Sequence, residues 1–223
     1  MEFVTGLISV IMSNFNTEEK YLRPAIESVL NQTYENFEFI IIDDGSTNDS
    51  VSVIKSYNDS RIKLLINEEN IGLTKSLNVA LGVSRGEFIA RMDADDICLP
   101  TRFERQVAFL RKNDSVIVCG TAAEIVSDQK RHISNRISYL DIPERDEYSI
   151  RLMFGNDPNI IHISAMFNNI KLHKFGITYN ENYRYAQDYR MWVSCCEVAD
   201  FANINEVLMK MTIRDGTIST SKK

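Results

Sequence analysis

Three closely spaced aspartates follow a short apolar segment in the middle of the chain. Asp93, Asp95 and Asp96 come directly after residues 88–92, whose composition predicts a buried strand. If the extended backbone continues, residues two apart face the same side, so Asp93 and Asp95 can hold one ligand. Clustered carboxylates repel one another unless a cation lies between them, and oxygen ligands favour Mg²⁺ or Mn²⁺. The spacing therefore indicates a divalent metal site, although a solvated acidic turn before the helix that starts near Pro100 accounts for the same residues.

A second acidic pair stands at the end of another apolar segment. Residues 7–12 and 37–42 are apolar runs typical of strands that are buried on both faces. The polar residues 13–16 follow the first run, and Asp43 and Asp44 follow the second. In an open α/β sheet, the carboxyl ends of parallel strands form the ligand crevice. We therefore expect these loops to meet Asp93 and Asp95 there, while capping of the next helix is the alternative role for Asp43 and Asp44.

The rest of the chain continues the alternation of strands and helices. This order predicts an α/β fold with a mostly parallel sheet that is flanked by helices. Helices are predicted at 22–30, 50–57, 73–81, 102–111, 144–154 and 189–198, and further strands at 62–66, 116–119, 160–167 and 207–213. Residues 127–143 have a weak, charged pattern that predicts a loop or a small insert.

Composition restricts the classes of function. The 223 residues are 44% hydrophobic and 25% charged, with a formal net charge of -6, which argues against unspecific binding of nucleic acid. The sequence has no apolar run of about 18 residues and no signal peptide pattern at its start, so we expect no transmembrane segment. The four cysteines form no CxxC pair and the three histidines are scattered, which predicts buried thiols in a reducing cytoplasm and no zinc site.

Several motifs in this order are similar to one enzyme family. They are VIMSNFN, AIESVLNQTYENFEFIIIDDGSTNDS, NIGL, GEFIARMDADD followed by LP, IIHISAMF and AQDYRMW. The chain resembles the family 2 inverting glycosyltransferases over residues 7–219. The resemblance implies the GT-A fold, a Rossmann-like, mostly parallel sheet flanked by helices with a small acceptor-side C-terminal part. It also implies a single domain, with a nucleotide-sugar-binding half at 1–98 and an acceptor-binding half at 99–223.

The resemblance assigns the first two strand ends to the nucleotide. Ser13 and Phe15 would line the base and ribose pocket, where phenylalanine replaces the tyrosine that is usual in the family. Asp44, with Asp43 beside it, would accept a hydrogen bond from the base or the ribose.

The resemblance also assigns the central acidic segment to a metal. Asp93 and Asp95 match the DxD motif, which implies Mn²⁺ or Mg²⁺, with Asp95 as the more direct ligand and Asp96 orienting the loop. Lys75 could reach the diphosphate, but a solvated helix face is the simpler interpretation. Residues 214–216 lack the histidine that many relatives have near the metal, so no role is assigned to them.

On the acceptor side, Asp188 matches the aspartate that acts as the general base in the family. Gln187 replaces the glutamate that commonly precedes it, which leaves the base but removes a neighbouring charge. Capping of the following helix is a second role for Asp188. His162 matches a frequent histidine near the acceptor, and a buried structural histidine is the alternative. Trp192 is expected in the core or as a wall beneath Asp188.

Together these residues imply metal-dependent transfer of a sugar, with inversion, from a nucleotide-sugar donor to a hydroxyl of a glycan or lipid-linked glycan acceptor. UDP is the expected nucleotide, and polysaccharide biosynthesis at the inner face of the membrane is the expected setting. Two alternatives remain open. A truncated or non-catalytic binding domain would share the fold. A sugar nucleotidyltransferase would use a related sheet, but such enzymes need a glycine-rich, basic loop to hold a triphosphate, and the SNFNTEEK loop has no glycine and two glutamates.

Overall fold

A central β-sheet organises the fold in the computed structural model, which describes residues 2–127, 132–136, 160–183 and 185–213. Nine strands of this part of the chain belong to the sheet. They are β1 (Val4–Asn14), β2 (Phe37–Asp43), β3 (Ile62–Ile66), β4 (Gly86–Asp93), β5 (Ile97–Cys98), β6 (Val116–Ser127), β7 (His132–Arg136), β8 (Met166–Asn168) and β9 (Asp200–Ile213).

The strand order is β3-β2-β1-β4-β8-β6-β9-β5, and β7 pairs with β6. Strands β3, β2, β1 and β4 are parallel, and β6 is parallel to β9, whereas β8 runs antiparallel between β4 and β6. The prediction of a mostly parallel α/β sheet is confirmed. In this register Ser13 lies opposite Asp93, and Asn14 lies opposite Asp43.

Helices cover both faces of the sheet. They are α1 (Glu19–Leu30), α2 (Ser50–Lys55), α3 (Leu73–Val83), α4 (Arg102–Lys112), α5 (Asn169–Lys174) and α6 (Gln187–Cys196). Apolar residues of α1, α2 and α4 form one core with the sheet, and those of α3, α5 and α6 form another. Strands β1 and β2 are mostly apolar and mostly buried, because both of their faces are covered. Among the described residues, the helices are too short or too polar to span a bilayer.

The C-terminal half differs most from the prediction. Of the predicted strand 160–167, only Met166 and Phe167 lie in β8, and His162–Ser164 forms a 3₁₀ turn instead. The Ser164 hydroxyl donates to the Ile161 carbonyl at 2.8 Å, and such local bonds compete with strand pairing.

The other differences concern the start of one strand and two elements that were not predicted. Strand β9 begins at Asp200 rather than at 207, β7 lies where a loop was predicted, and α5 was not predicted. The predicted helix 144–154 lies outside the described residues.

Gly86 of β4 lies in close contact with the backbone of β1. A Cβ atom at Gly86 would lie 2.6 Å from the Ser9 nitrogen and 2.7 Å from the Leu7 oxygen, both in the backbone of β1. We expect Gly86→Ala to lower the free energy of unfolding by about 1–3 kcal/mol or more, because backbone atoms cannot rotate away. Urea denaturation measures the change. The control is Gly82→Ala in α3, where a Cβ meets no atom within 4 Å and stability should hold or rise by up to about 1 kcal/mol. Equal stability of Gly86→Ala and the wild type would contradict this packing.

Candidate functional site

A cavity of about 540 Å³ opens beyond the carboxyl ends of β1, β2 and β4. This volume is within the range of small-molecule sites. Five residues predicted for the nucleotide and metal line it: Ser13, Phe15, Asp44, Asp93 and Asp95. The other lining residues are Thr17, Asn70, Ile71, Gly72, Leu73, Thr74, Lys75, Ala94, Glu181, Tyr183 and Tyr185. Phe15 is 49% exposed, so one ring face is available to a ligand.

Asp43 lies beneath the cavity and connects the loop after β1 with the loop after β2 through hydrogen bonds. Its side chain is fully buried and accepts hydrogen bonds from Asn14 Nδ2 at 2.6 Å and from the Ser46 amide at 3.0 Å. Asn14 Nδ2 also lies 3.0 Å from the Ser50 hydroxyl. The buried network fixes the loop after β1 against the loop after β2.

Asp44 borders the cavity and fixes the entrance of α3. Its Oδ1 accepts from Asn67 Nδ2 at 2.8 Å and from the Ile71 amide at 3.0 Å, and its Oδ2 accepts from the Gly72 amide at 2.9 Å. These bonds place the turn before α3, and hence Lys75 in its first turn, at the cavity wall. Lys75, interpreted from sequence as a solvated helix residue, therefore lies where an anionic ligand could meet it.

The three aspartates after β4 lie close together. One carboxylate oxygen from each of Asp93, Asp95 and Asp96 is within 4.8 Å of the others. Asp96 is buried and accepts from the Thr212 amide at 2.7 Å, which anchors the loop to β9. Burial, followed by the charges of Asp93 and Asp95, raises the pKa of Asp96 well above its usual value. Asp93 and Asp95 border the cavity, and their carboxylates fit a hard divalent ion such as Mn²⁺ or Mg²⁺.

Arg91 is a site residue that sequence reasoning missed. It lies on β4 two positions before Asp93, is 2% exposed, and its Nη2 is 2.6 Å from Asp93 Oδ1. Burial alone would lower the pKa of Arg91, but Asp93 and other neighbours raise it, so the guanidinium stays charged. An arginine within an apolar strand, spaced to share a face with an aspartate, was the available signal.

The partly buried His162 and the buried Trp192 pack against each other, and His162 lies near the charge of Arg91. His162 Nε2 is 2.7 Å from the Tyr179 hydroxyl, and its ring packs edge-on against Trp192 with centroids 5.9 Å apart. Burial, and then the charge of Arg91, lowers the pKa of His162, which is therefore neutral. Trp192 is 1% exposed and stacks on Phe167, as expected for a core residue four positions after Asp188.

Asp188 and Gln187 are half-buried residues in the first turn of α6. The helix begins after Ala186, which has a φ of 56°, and Asp188 Oδ1 lies 2.8 Å from the Tyr189 amide. Burial raises the pKa of Tyr179, and the nearby charges of Asp188 and Asp93 raise it further. The Tyr179 hydroxyl is therefore an electrostatic neighbour of both the predicted base and the metal loop. Residues 214–216 lie outside the described residues.

The segment before α6 was noted from sequence only as polar and rich in tyrosine. In the structure, Tyr183 and Tyr185 are 43% and 48% exposed and border the cavity. Asn78 of α3 bonds both the amide and the carbonyl of Tyr179, at 3.0 and 2.9 Å, and the Thr74 hydroxyl bonds the Tyr183 carbonyl at 3.3 Å. The segment is therefore fixed to α3, presents two tyrosine rings to the cavity and leads into the helix that contains Asp188.

Comparisons with known proteins identify the family of the chain. The profile described as "Glycosyl transferase family 2" matches residues 9–188. An uncharacterized glycosyltransferase of Haemophilus influenzae is 35% identical, covering 96% of this chain and 68% of the relative. The Escherichia coli protein named UDP-Glc:alpha-D-GlcNAc-diphosphoundecaprenol beta-1,3-glucosyltransferase WfgD is 28% identical, covering 97% of this chain and 81% of the relative.

Solved structures share the fold. S. aureus TarS 1–349 in complex with UDP-GlcNAc has a TM-score of 0.79 and 21% identity over 97% of this chain and 61% of that chain. The mannosyltransferase PcManGT from Pyrobaculum calidifontis, in complex with GDP-Man and Mn²⁺, has a TM-score of 0.69 and 18% identity over 94% of this chain. This chain thus spans 61% and 57% of the lengths of the two solved chains. The profile match, the relatives and the shared GT-A fold confirm the resemblance seen in the motifs, and the chain belongs to glycosyltransferase family 2.

Proposed function

We propose that the protein transfers a sugar from a UDP-sugar to a hydroxyl of a glycan or lipid-linked glycan, with inversion and with the help of a divalent metal. The observation that carries this proposal is the single cavity that Phe15, Asp44, Asp93 and Asp95 border. Asp188 lies in the first turn of α6, directly after the tyrosine-containing segment that also borders this cavity. The UDP-GlcNAc in the TarS structure and the UDP-Glc in the name of WfgD support the choice of nucleotide.

The donor half comprises residues 1–98. The exposed face of Phe15 stacks on the base, and Ser13 contacts the nucleotide from the end of β1. Asp44 accepts a hydrogen bond from the base or the ribose, and three chain donors on its two oxygens hold it in place and leave acceptor capacity for the ligand. Lys75 meets the diphosphate from the first turn of α3.

Asp93 and Asp95 would hold the metal, and the Mn²⁺ in the PcManGT structure supports this assignment. When bound, a divalent ion neutralises the charge that develops on the departing diphosphate. Asp96 keeps the loop on β9 through the Thr212 amide, which leaves the other two carboxylates at the cavity.

The acceptor half comprises residues 99–223. Asp188 takes the proton of the acceptor hydroxyl. The hydroxyl oxygen forms a bond to the anomeric carbon while the bond from that carbon to the diphosphate breaks. One displacement with one base inverts the anomeric centre. Gln187, His162 and Trp192 shape the wall beside this base. A lipid-linked acceptor, as in the name of WfgD, would bring the protein to the cytoplasmic membrane surface.

Metal-dependent nucleotide binding provides the first test. We expect UDP with Mn²⁺ to raise the melting temperature by about 5 °C or more at 100 times the dissociation constant, because ligand binding stabilises only the folded state. GDP- and dTDP-sugars should give smaller shifts. Asp95→Asn should abolish the UDP shift in thermal denaturation, because it removes a metal ligand.

The matched control for this test is Asp114→Asn, which changes a fully exposed carboxylate on the turn before β6 and should keep the UDP shift. An unchanged UDP shift in Asp95→Asn, with the protein folded, would count against the metal assignment.

The base provides the second test. Asp188→Asn should lower sugar transfer by about 10²- to 10⁴-fold, because an amide cannot accept the hydroxyl proton. UDP release from UDP-glucose and UDP-GlcNAc, measured with a panel of glycosides and lipid-diphosphate sugars, monitors turnover. Binding of UDP with Mn²⁺ should persist in calorimetry.

Glu197→Gln, at the exposed C-terminal end of the same helix, is the control and should keep wild-type turnover. Near-wild-type transfer by Asp188→Asn would remove Asp188 as the base. Binding of UDP by the wild type without turnover of any donor would favour a non-catalytic binding domain instead.

A further inference from the structure

The buried guanidinium of Arg91 has no role in the reaction described above. Its Nη2 contacts Asp93 Oδ1, but its Nε and Nη1 have no hydrogen-bond partner among the described residues. Unpaired donors inside a protein are destabilising, and native structures contain few of them. Packing alone therefore gives no reason for an arginine at this position.

Arg91 has a close acidic partner, Asp93. Asp93 is its strongest charged neighbour, and Tyr179 and Asp96 also interact with it. His162 is neutral, so it adds no positive charge to this region. Arg91 therefore acts as a buried counter-charge on β4, paired with the first of the three aspartates.

The geometry points to Arg91 as a positioning residue that makes metal binding depend on the nucleotide, an inference that rests on the proposed metal-dependent reaction. Without nucleotide, a divalent ion would share Asp93 with a fixed positive charge, and the repulsion weakens its binding. A nucleoside diphosphate brings negative charge that offsets the guanidinium. Ion and nucleotide then strengthen each other's binding, and this coupling is reciprocal.

The ion pair also fixes the orientation of Asp93. Because the guanidinium holds Oδ1 at 2.6 Å, Asp93 presents a defined oxygen to the cavity before any ligand arrives. The free protein would bind Mn²⁺ weakly, and the ion would enter and leave together with the nucleotide.

Calorimetry with MnCl₂ alone and with MnCl₂ plus saturating UDP tests this inference. In the wild type, UDP should tighten Mn²⁺ binding by at least about tenfold. Arg91→Met and Arg91→Gln remove the charge, so Mn²⁺ alone should bind about tenfold or more tightly and the effect of UDP should shrink. Arg91→Gln keeps a hydrogen-bond donor for Asp93 and serves if the methionine variant does not fold. Arg91→Lys keeps the charge and should keep the coupling.

Arg102→Met is the matched control for loss of a buried arginine. The Arg102 guanidinium is fully buried and bonds Gln106, Cys98 and the carbonyls of Arg91 and Ala165. Its loss should lower stability while Mn²⁺ affinity stays within about twofold of the wild type.

Two results separate the hypotheses. Wild-type coupling that persists in Arg91→Gln would overturn the inference and leave the proposed function standing. If the wild type fails to bind Mn²⁺ both with and without UDP, the metal-dependent function and this inference fall together.

Discussion

The parallel register of β1, β2 and β4 is the constraint on which the site depends. β1 lies between the other two strands, with Ser13 opposite Asp93 and Asn14 opposite Asp43. Because the three strands end at nearly the same level, their following loops must leave the sheet at one edge. Residues that are distant in sequence therefore border one cavity, and the pairing of the backbone rather than any attraction between carboxylates brings them together.

Neighbouring acidic residues at this edge have different tasks. Asp43 and Asp96 are buried and accept hydrogen bonds from the chain, whereas Asp93 and Asp95 reach the cavity. Asp44 does both, since it borders the cavity while it holds the turn before α3. Backbone amides satisfy the buried carboxylates, which lets the loops remain rigid with several acidic side chains close together.

The sequence predicted residues 1–98 better than the later described residues, for physical reasons. Apolar runs such as residues 7–12 and 37–42 identify buried strands, and the position of a polar residue after such a run places it at the ligand edge. The pairing of Arg91 with Asp93 depends on tertiary burial, which no local pattern encodes. Tyr183 and Tyr185 lie in a segment without periodicity. The turn at His162–Ser164 was hidden because its apolar neighbours are also typical of a strand.

The bonds between α3 and the segment before α6 have a consequence for protein engineering. Asn78 and Thr74 hold that segment from one side of the helix, while Asp44 holds the turn that leads into the helix. The two halves of the site are thus joined through a single helix surface. A chimera that exchanges the C-terminal part between homologous enzymes would have to exchange the matching side of α3 as well, or the transplanted segment would lose its anchor.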